Sequence, residues 1–309
     1  MGILLGQAPG RALSAVCLAL ALALCLMAQT LGAQQGSQTL SPDARALVQK
    51  VRDNLQLDNE LQTQYTYLER RRDVRVSKLG KVNVGPMRTF EVYPSGKVGR
   101  TYKRLIAVDG QPLAPEELAR RDDEHRQAVL AAAEREKNES ADDRAKRAKK
   151  DADEQREQAQ VIDEGFAVYN IKLVGQEMHD GCQTTIAELT PRPNVDTKTE
   201  YGGYFKKFKG HAWVCNDDYQ VARIEMEAID DITIGWGLLG RVHEGSKFTF
   251  VRKKVNGEIW LPAEAKFEAS GRTLLFRKFQ LFTVTSYSDY KKFNVGTAVT
   301  YGDHPKEDP

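Results

Sequence analysis

The fold is decided by Phe248-Thr249-Phe250-Val251-Arg252-Lys253-Lys254-Val255-Asn256-Gly257-Glu258-Ile259-Trp260-Leu261. Aromatic and β-branched residues crowd both ends of this stretch, the composition of strands on a pleated, half-buried surface. Asn256-Gly257 suits a two-residue hairpin turn, whose central residues need a positive φ. Strands joined so tightly must lie antiparallel. The same reading extends outward. Asp180-Gly181 separates expected strands over 166–178 and 182–190, Asn216-Asp217-Asp218 separates 204–215 from 220–228, and Ser270-Gly271 separates 258–268 from 272–293. The strand over 247–255 opens the quoted hairpin. Upstream, Tyr65, Tyr67 and Glu69 alternate with Thr66, Leu68 and Arg70 before Val74 and Val76, so strands begin near Gln64. Pro94-Ser95-Gly96 turns a further pair over 82–93 and 98–108. Short links throughout predict one large antiparallel sheet rather than two domains.

Two helical segments complete an α+β class. Ser41-Pro42 followed by Ala44, Leu47, Val48, Val51 and Leu55 reads as a capped amphipathic helix with Pro at its first position. The stretch 116–160 carries 25 charged residues among 45, 14 acidic and 11 basic, with many alanines. Only helix suits that composition, its charges interleaved at i, i+3 and i, i+4 spacings. Its apolar set is thin: Leu118, Ala128, Val129, Ala132 and Ala133, then Ala141, Ala145, Ala148 and Ala152. A lid over the sheet and a solvated excursion both fit. Its net negative charge and lack of bulky apolar residues argue against a membrane-binding helix.

Of 309 residues, 41% are hydrophobic and 28% charged, enough for a real core and unlike disordered or collagen-like chains. Lys and Arg total 45 against 43 Asp and Glu, so the near-neutral chain has no global field for collecting nucleic acid. Arg11 precedes an apolar run from Ala12 to Met27, with small Gly32 and Ala33 at its end. That is the order of a cleaved secretory leader over 1–33, and the run is shorter than the roughly 20 residues of a spanning helix. Expected are an exported chain, one domain over 41–293 and a flexible tail over 294–309. Of the four cysteines, Cys182 and Cys215 lie beyond the leader. In an oxidising compartment they favour a disulfide, with two buried thiols as the alternative.

Motifs for chemistry are weak. Gly235-Trp236-Gly237-Leu238-Leu239-Gly240 matches GxGxxG, but a strand follows where a dinucleotide site needs a helix. The glycines read instead as a loop or bulge. His179-x-x-Cys182 and His211-x-x-x-Cys215 offer zinc-type donors and an alternative reading as a metal-dependent enzyme. On a strand, however, His211 and Cys215 are roughly 13 Å apart. No GxSxG elbow is present. Asp217-Asp218 and Asp230-Asp231 read as turn formers, and Lys206-Lys207-Phe208-Lys209 as a solvated strand face. No catalytic residue, metal ligand or cofactor is assigned. Trp213, Phe248, Phe250, Trp260, Phe267, Phe276, Phe279 and Phe282 stand out as apolar supply on a sheet. They suit a plain core or the lining of a cavity for an acyl chain, and periodicity does not separate the two.

The order of parts resembles the LolA/LolB superfamily of periplasmic lipoprotein carriers and the RseB-like sensors of the same fold. Gly210-His211-Ala212-Trp213-Val214-Cys215 through Tyr219-Gln220-Val221-Ala222-Arg223-Ile224-Glu225-Met226 looks like that family's strand-turn-strand. Gly245-Ser246-Lys247-Phe248, Asn256-Gly257-Glu258-Ile259-Trp260-Leu261-Pro262 and Tyr287-Ser288-Asp289-Tyr290-Lys291-Lys292-Phe293 resemble the ends of exported outer-membrane lipoprotein-sorting proteins. The resemblance implies an incomplete antiparallel β-barrel with an apolar concave side capped by helices. It also implies a non-catalytic periplasmic protein, at most peripheral to the outer membrane, that binds acyl chains of lipid or lipoprotein, or else grips another envelope protein as a sensor. The insertion over 116–160 is longer and more charged than the family's lid helices, and no role is carried over to Arg88, Arg100 or Arg104.

Overall fold

The computed structural model describes residues 42–77, 81–94, 101–234, 240–273 and 277–292. The expected leader, the turn at Ser95-Gly96, Trp236 with its glycine loop, Phe276 and the tail lie outside them. Helix α1 (Pro42–Gln62) leads into strands β1 (Tyr65–Val76), β2 (Val82–Val84), β3 (Arg88–Tyr93), β4 (Tyr102–Val108) and β5 (Gln111–Pro112). Helices α2 (Pro115–Lys137) and α3 (Ala141–Val168) follow, then β6 (Tyr169–His179) and β7 (Cys182–Pro191). A short α4 (Glu200–Phe205) precedes β8 (Phe208–Cys215), β9 (Val221–Ala228), β10 (Ile232–Ile234), β11 (Gly240–Val242), β12 (Lys247–Val255), β13 (Ile259–Thr273) and β14 (Arg277–Lys292).

All the strands form one antiparallel sheet of 14, ordered β5-β4-β3-β1-β14-β13-β12-β9-β8-β7-β6, with β2 on β1 and β11 joining β10 to β13. β5 and β6 end the order without pairing to each other, so the sheet is open. The Asn256-Gly257 turn is in place, with φ of 53° and 71°, and Asp180-Gly181 repeats the pattern at 47° and 77°.

One face of the sheet is covered by helices. Ala44, Val48 and Val51, at i, i+4 and i+7 on α1, join Val161, Ile162, Phe166 and Val168 of α3 and Phe205 of α4 over Ala212, Val214, Ile224, Met226, Phe248 and Phe250. Each fully buried Val, Ile or Phe of this cluster contributes about 1.5–3 kcal/mol.

The expected elements need four corrections. The strand over 82–93 breaks at Gly85-Pro86-Met87, where Gly85 N donates to Asp73 O at 2.8 Å and a Cβ would lie 2.8 Å from that oxygen. The strand expected from Phe166 starts at Tyr169 because α3 continues through Gly165. Burial of Phe166 and Val168 outweighs the roughly 1 kcal/mol that glycine costs a helix. Tyr204 and Phe205 end α4 rather than start a strand. Thr199 caps that helix by accepting from Gly202 N at 3.0 Å, and Gly202 must lack a Cβ because one would lie 2.0 Å from Glu164 Oε2. Ser270-Gly271 is no turn, since β13 runs through it and pairs Gly271 with both Val242 and Phe279. There glycine answers a close approach: a Cβ would stand 2.1 Å from Arg241 O.

Candidate functional site

The eight aromatic residues singled out from sequence do not share one surface. Phe248 and Phe250 are buried in the helix-covered cluster, their rings 6.3 Å apart, and Phe267 and Phe279 pack half-buried against it. Trp260 belongs to a second cluster with Cys182, Cys215 and Ala222. Trp213 alternates with the inward Ala212 and Val214, and its ring lies 4.9 Å from the Arg223 guanidinium. Phe282 is in register with Val74 and Glu268, on the face opposite Leu281 and Thr283. Phe276 lies outside the described residues.

Cys182 and Cys215 are joined, with Cα atoms 5.8 Å apart. Their thiolates are therefore consumed, and with Asp217 they form the only group of metal-type donors among the described residues. His179 buries an Nε2 that has no hydrogen-bond partner, while exposed His211 sits in register with Glu188 and Glu225. The zinc alternative thus loses its two sulfur donors.

The acidic turn after β8 is a cross-link. Asp218 Oδ2 accepts from Trp260 Nε1 and Lys254 Nζ, both at 2.8 Å, and Oδ1 from Gln220 N at 3.2 Å, while its carbonyl accepts from Asn54 Nδ2 of α1 at 2.6 Å. Burial pushes this carboxyl up, but the bonds from Lys254, Trp260 and Gln220 outweigh it and hold the group below the usual aspartate range. Asp231 likewise accepts from Glu244 N at 3.1 Å and faces His243 Nδ1 at 3.1 Å. Both acidic pairs keep the turn-forming role expected of them.

Asn216 and Tyr219 of this turn border a groove of about 330 Å³ between α1 and the end of the sheet. Asp43, Ala46, Leu47 and Lys50 of α1 line it with Leu173 and Gln176 of β6, Thr185 of β7, and Asn216 and Tyr219. Tyr219 holds a φ of 56°, a strained value for a bulky residue, and Lys50 Nζ sits 3.9 Å over its ring. Beside the groove runs the outermost strand. From Val174 to Met178 every residue of β6 is exposed, Val174 at 45% and Met178 at 63%.

The helical insertion is attached at its roots alone. No residue described between Ala119 and Gln160 is buried, and α2 and α3 do not pack side by side along their length. At the root of α2 a buried guanidinium does the holding: Arg104 of β4 meets Asp122 at 2.7 Å through Nε and at 2.6 Å through Nη2, and Glu91 at 2.8 Å through Nη1. His125 stacks on Tyr102 at 3.6 Å between centroids. Sequence reading assigned none of these five residues, although an arginine in a strand followed 18 positions later by an acid in the first turns of a helix was a usable signal. No helix described is long and apolar enough to cross a membrane.

No protein-family model matches the sequence, and neither does any curated protein. Among solved structures, the chain is similar to a DUF1329 family protein from Desulfovibrio piger at 16% identity, covering 82% of this chain and 98% of that one with a TM-score of 0.29. It is similar to a LolA superfamily protein from Nitrosomonas europaea at 10% identity, 79% and 94% coverage and a TM-score of 0.26. A putative outer membrane lipoprotein-sorting protein domain from Vibrio parahaemolyticus matches at 8% identity, 79% and 92% coverage and a TM-score of 0.29.

Proposed function

We propose that the protein is an exported, non-catalytic binding module and that its ligand is an extended segment of another envelope polypeptide. One observation carries this reading: the open sheet ends in an 11-residue strand, β6, whose outer edge is unpaired among the described residues and whose Val174 and Met178 are exposed. A long edge of that kind is a template for strand addition, in which main-chain bonds supply affinity and neighbouring pockets receive alternate side chains. The groove beside β6 offers such a pocket. Export follows from the leader reading.

A second reading, carriage of an acyl chain from lipid or lipoprotein, is favoured by the groove's Ala46, Leu47 and Leu173. Four of the aromatic residues expected to line a carrier's cavity, Phe248, Phe250, Phe267 and Phe279, sit in or against the helix-covered cluster. Mass spectrometry of the chain recovered from the cell envelope separates the two readings. A co-purifying polypeptide, lost when Val174 and Met178 both become Lys, supports strand addition. Extractable lipid that survives those substitutions supports carriage and overturns the first reading.

A further inference from the structure

The elbow between α2 and α3 is Asn138-Glu139-Ser140, the sole Asn-x-Ser/Thr triplet in the sequence. In an exported chain that pattern is an N-glycosylation acceptor, and its place is a surface loop. The intervening position, Glu139, is not proline.

The structure puts the triplet where a transferase can reach it. Asn138 and Ser140 are exposed, and the nearest buried residues on either side are Leu118 and Val161. Asn138 ends α2, its backbone N–H bonded to Glu134 O at 3.0 Å, while its Nδ2 donates outward to the exposed Glu134 Oε1 at 3.2 Å. Ser140 caps α3 by accepting from Asp143 N at 3.1 Å. Arg147 meets Glu136 at 3.8 Å and grips Glu139 more tightly, at 2.6 Å through Nη2 and 3.0 Å through Nε. Presenting the triplet to an enzyme therefore opens the Glu139–Arg147 ion pair and frays one turn on each side, and it breaks no contact with a buried residue.

We propose that Asn138 is a glycosylation site. The donor is a polyprenyl-diphosphate-linked oligosaccharide. Asn138 Nδ2 attacks C1 of its first sugar, and the N–C bond forms as the C1–O bond to diphosphate breaks. Polyprenyl diphosphate leaves with the electron pair, and the amide proton passes to a transferase carboxylate. A glycan at this elbow covers the part of the chain with the least packing to resist proteases.

The proposal rests on export, so the test reads both. The full chain, with its own leader, is purified from the envelope of its native host, and its tryptic peptide 138–144 is weighed. An oligosaccharide mass on that peptide is expected. It should disappear in Asn138→Gln and Ser140→Ala and persist in Ser140→Thr, all three remaining folded because Asn138 and Ser140 are exposed. A leader-processed chain with a bare peptide 138–144 overturns the site while leaving export intact. A chain that keeps 1–33 and stays in the cytoplasm overturns export and the site with it.

Discussion

Arg104 and Asp218 are two side chains on which long-range polar contacts converge. Arg104 is 6% exposed and satisfied by two carboxylates from different elements. Removing it leaves Asp122 and Glu91 facing each other in a half-buried setting without their cation. Arg104→Ala should cost toward the lower end of about 3–5 kcal/mol, because the carboxylates keep some water. Its signature is local: hydrogen exchange should quicken over the first turns of α2 and stay unchanged in β13 and β14. Arg104→Lys cannot restore the two-pronged contact and should recover only part of the loss. Asp218 gives a pH dependence. Its folded pKa lies below the ordinary one, so the stability it contributes is present above the ordinary aspartate range and is lost as pH falls through the folded value. Asp218→Asn should lower the melting temperature at neutral pH and flatten its decline in acid. An acid decline identical to wild type would remove the carboxylate from this role.

Among the elements, the helical arm and β6 are opposites that face the same solvent. The arm consists of helix with almost no apolar face, held by i, i+3 and i, i+4 pairs such as Arg120 with Glu117 and Lys146 with Asp142. Such exposed pairs each contribute little, because solvent and salt screen them, so the distal arm opens easily. Limited trypsin digestion should therefore cut first within 120–156 while the sheet stays intact on the same timescale. First cuts in β12 or β13 would contradict this. On β6, Val174→Lys and Met178→Lys each remove exposed surface alone and should change stability by less than about 0.5 kcal/mol. The sequence made the arm legible as helix because its composition admits nothing else. It did not disclose where α3 ends, since Gly165 marks a helix boundary by propensity while Phe166 and Val168 are held in the core by packing. It also could not show that Ser270-Gly271 sits inside a strand: a glycine reads alike whether it turns the chain or lets Arg241 O come close.

Across the whole molecule, hairpin chemistry told most of the sheet. Asn256-Gly257 and Asp180-Gly181 fixed two antiparallel pairs, and the change to a two-residue period placed the start of β1 near Gln64. Pairings that join distant segments, β1 with β14 and β11 with β13, have no local signal and were visible only in the fold. The binding surface was harder still. Aromatic content marks burial without saying on which face, so Trp213, Trp260 and Phe282 were grouped with Phe248 and Phe250 although the sheet divides them. If the helix-covered face is filled, Phe248→Ala should destabilise by about 3–5 kcal/mol in chemical denaturation. A loss below about 1 kcal/mol would mean a hollow that already accommodates the change.

The claim that binding occurs along the free edge is tested most directly by photo-crosslinking in the living envelope. A photoreactive residue replaces Met178 on β6 in one strain and exposed Lys247 on β12 in another. The account predicts a discrete polypeptide adduct from position 178 and none from position 247. Equal adducts from both positions, or a lipid adduct alone from position 178, would contradict it.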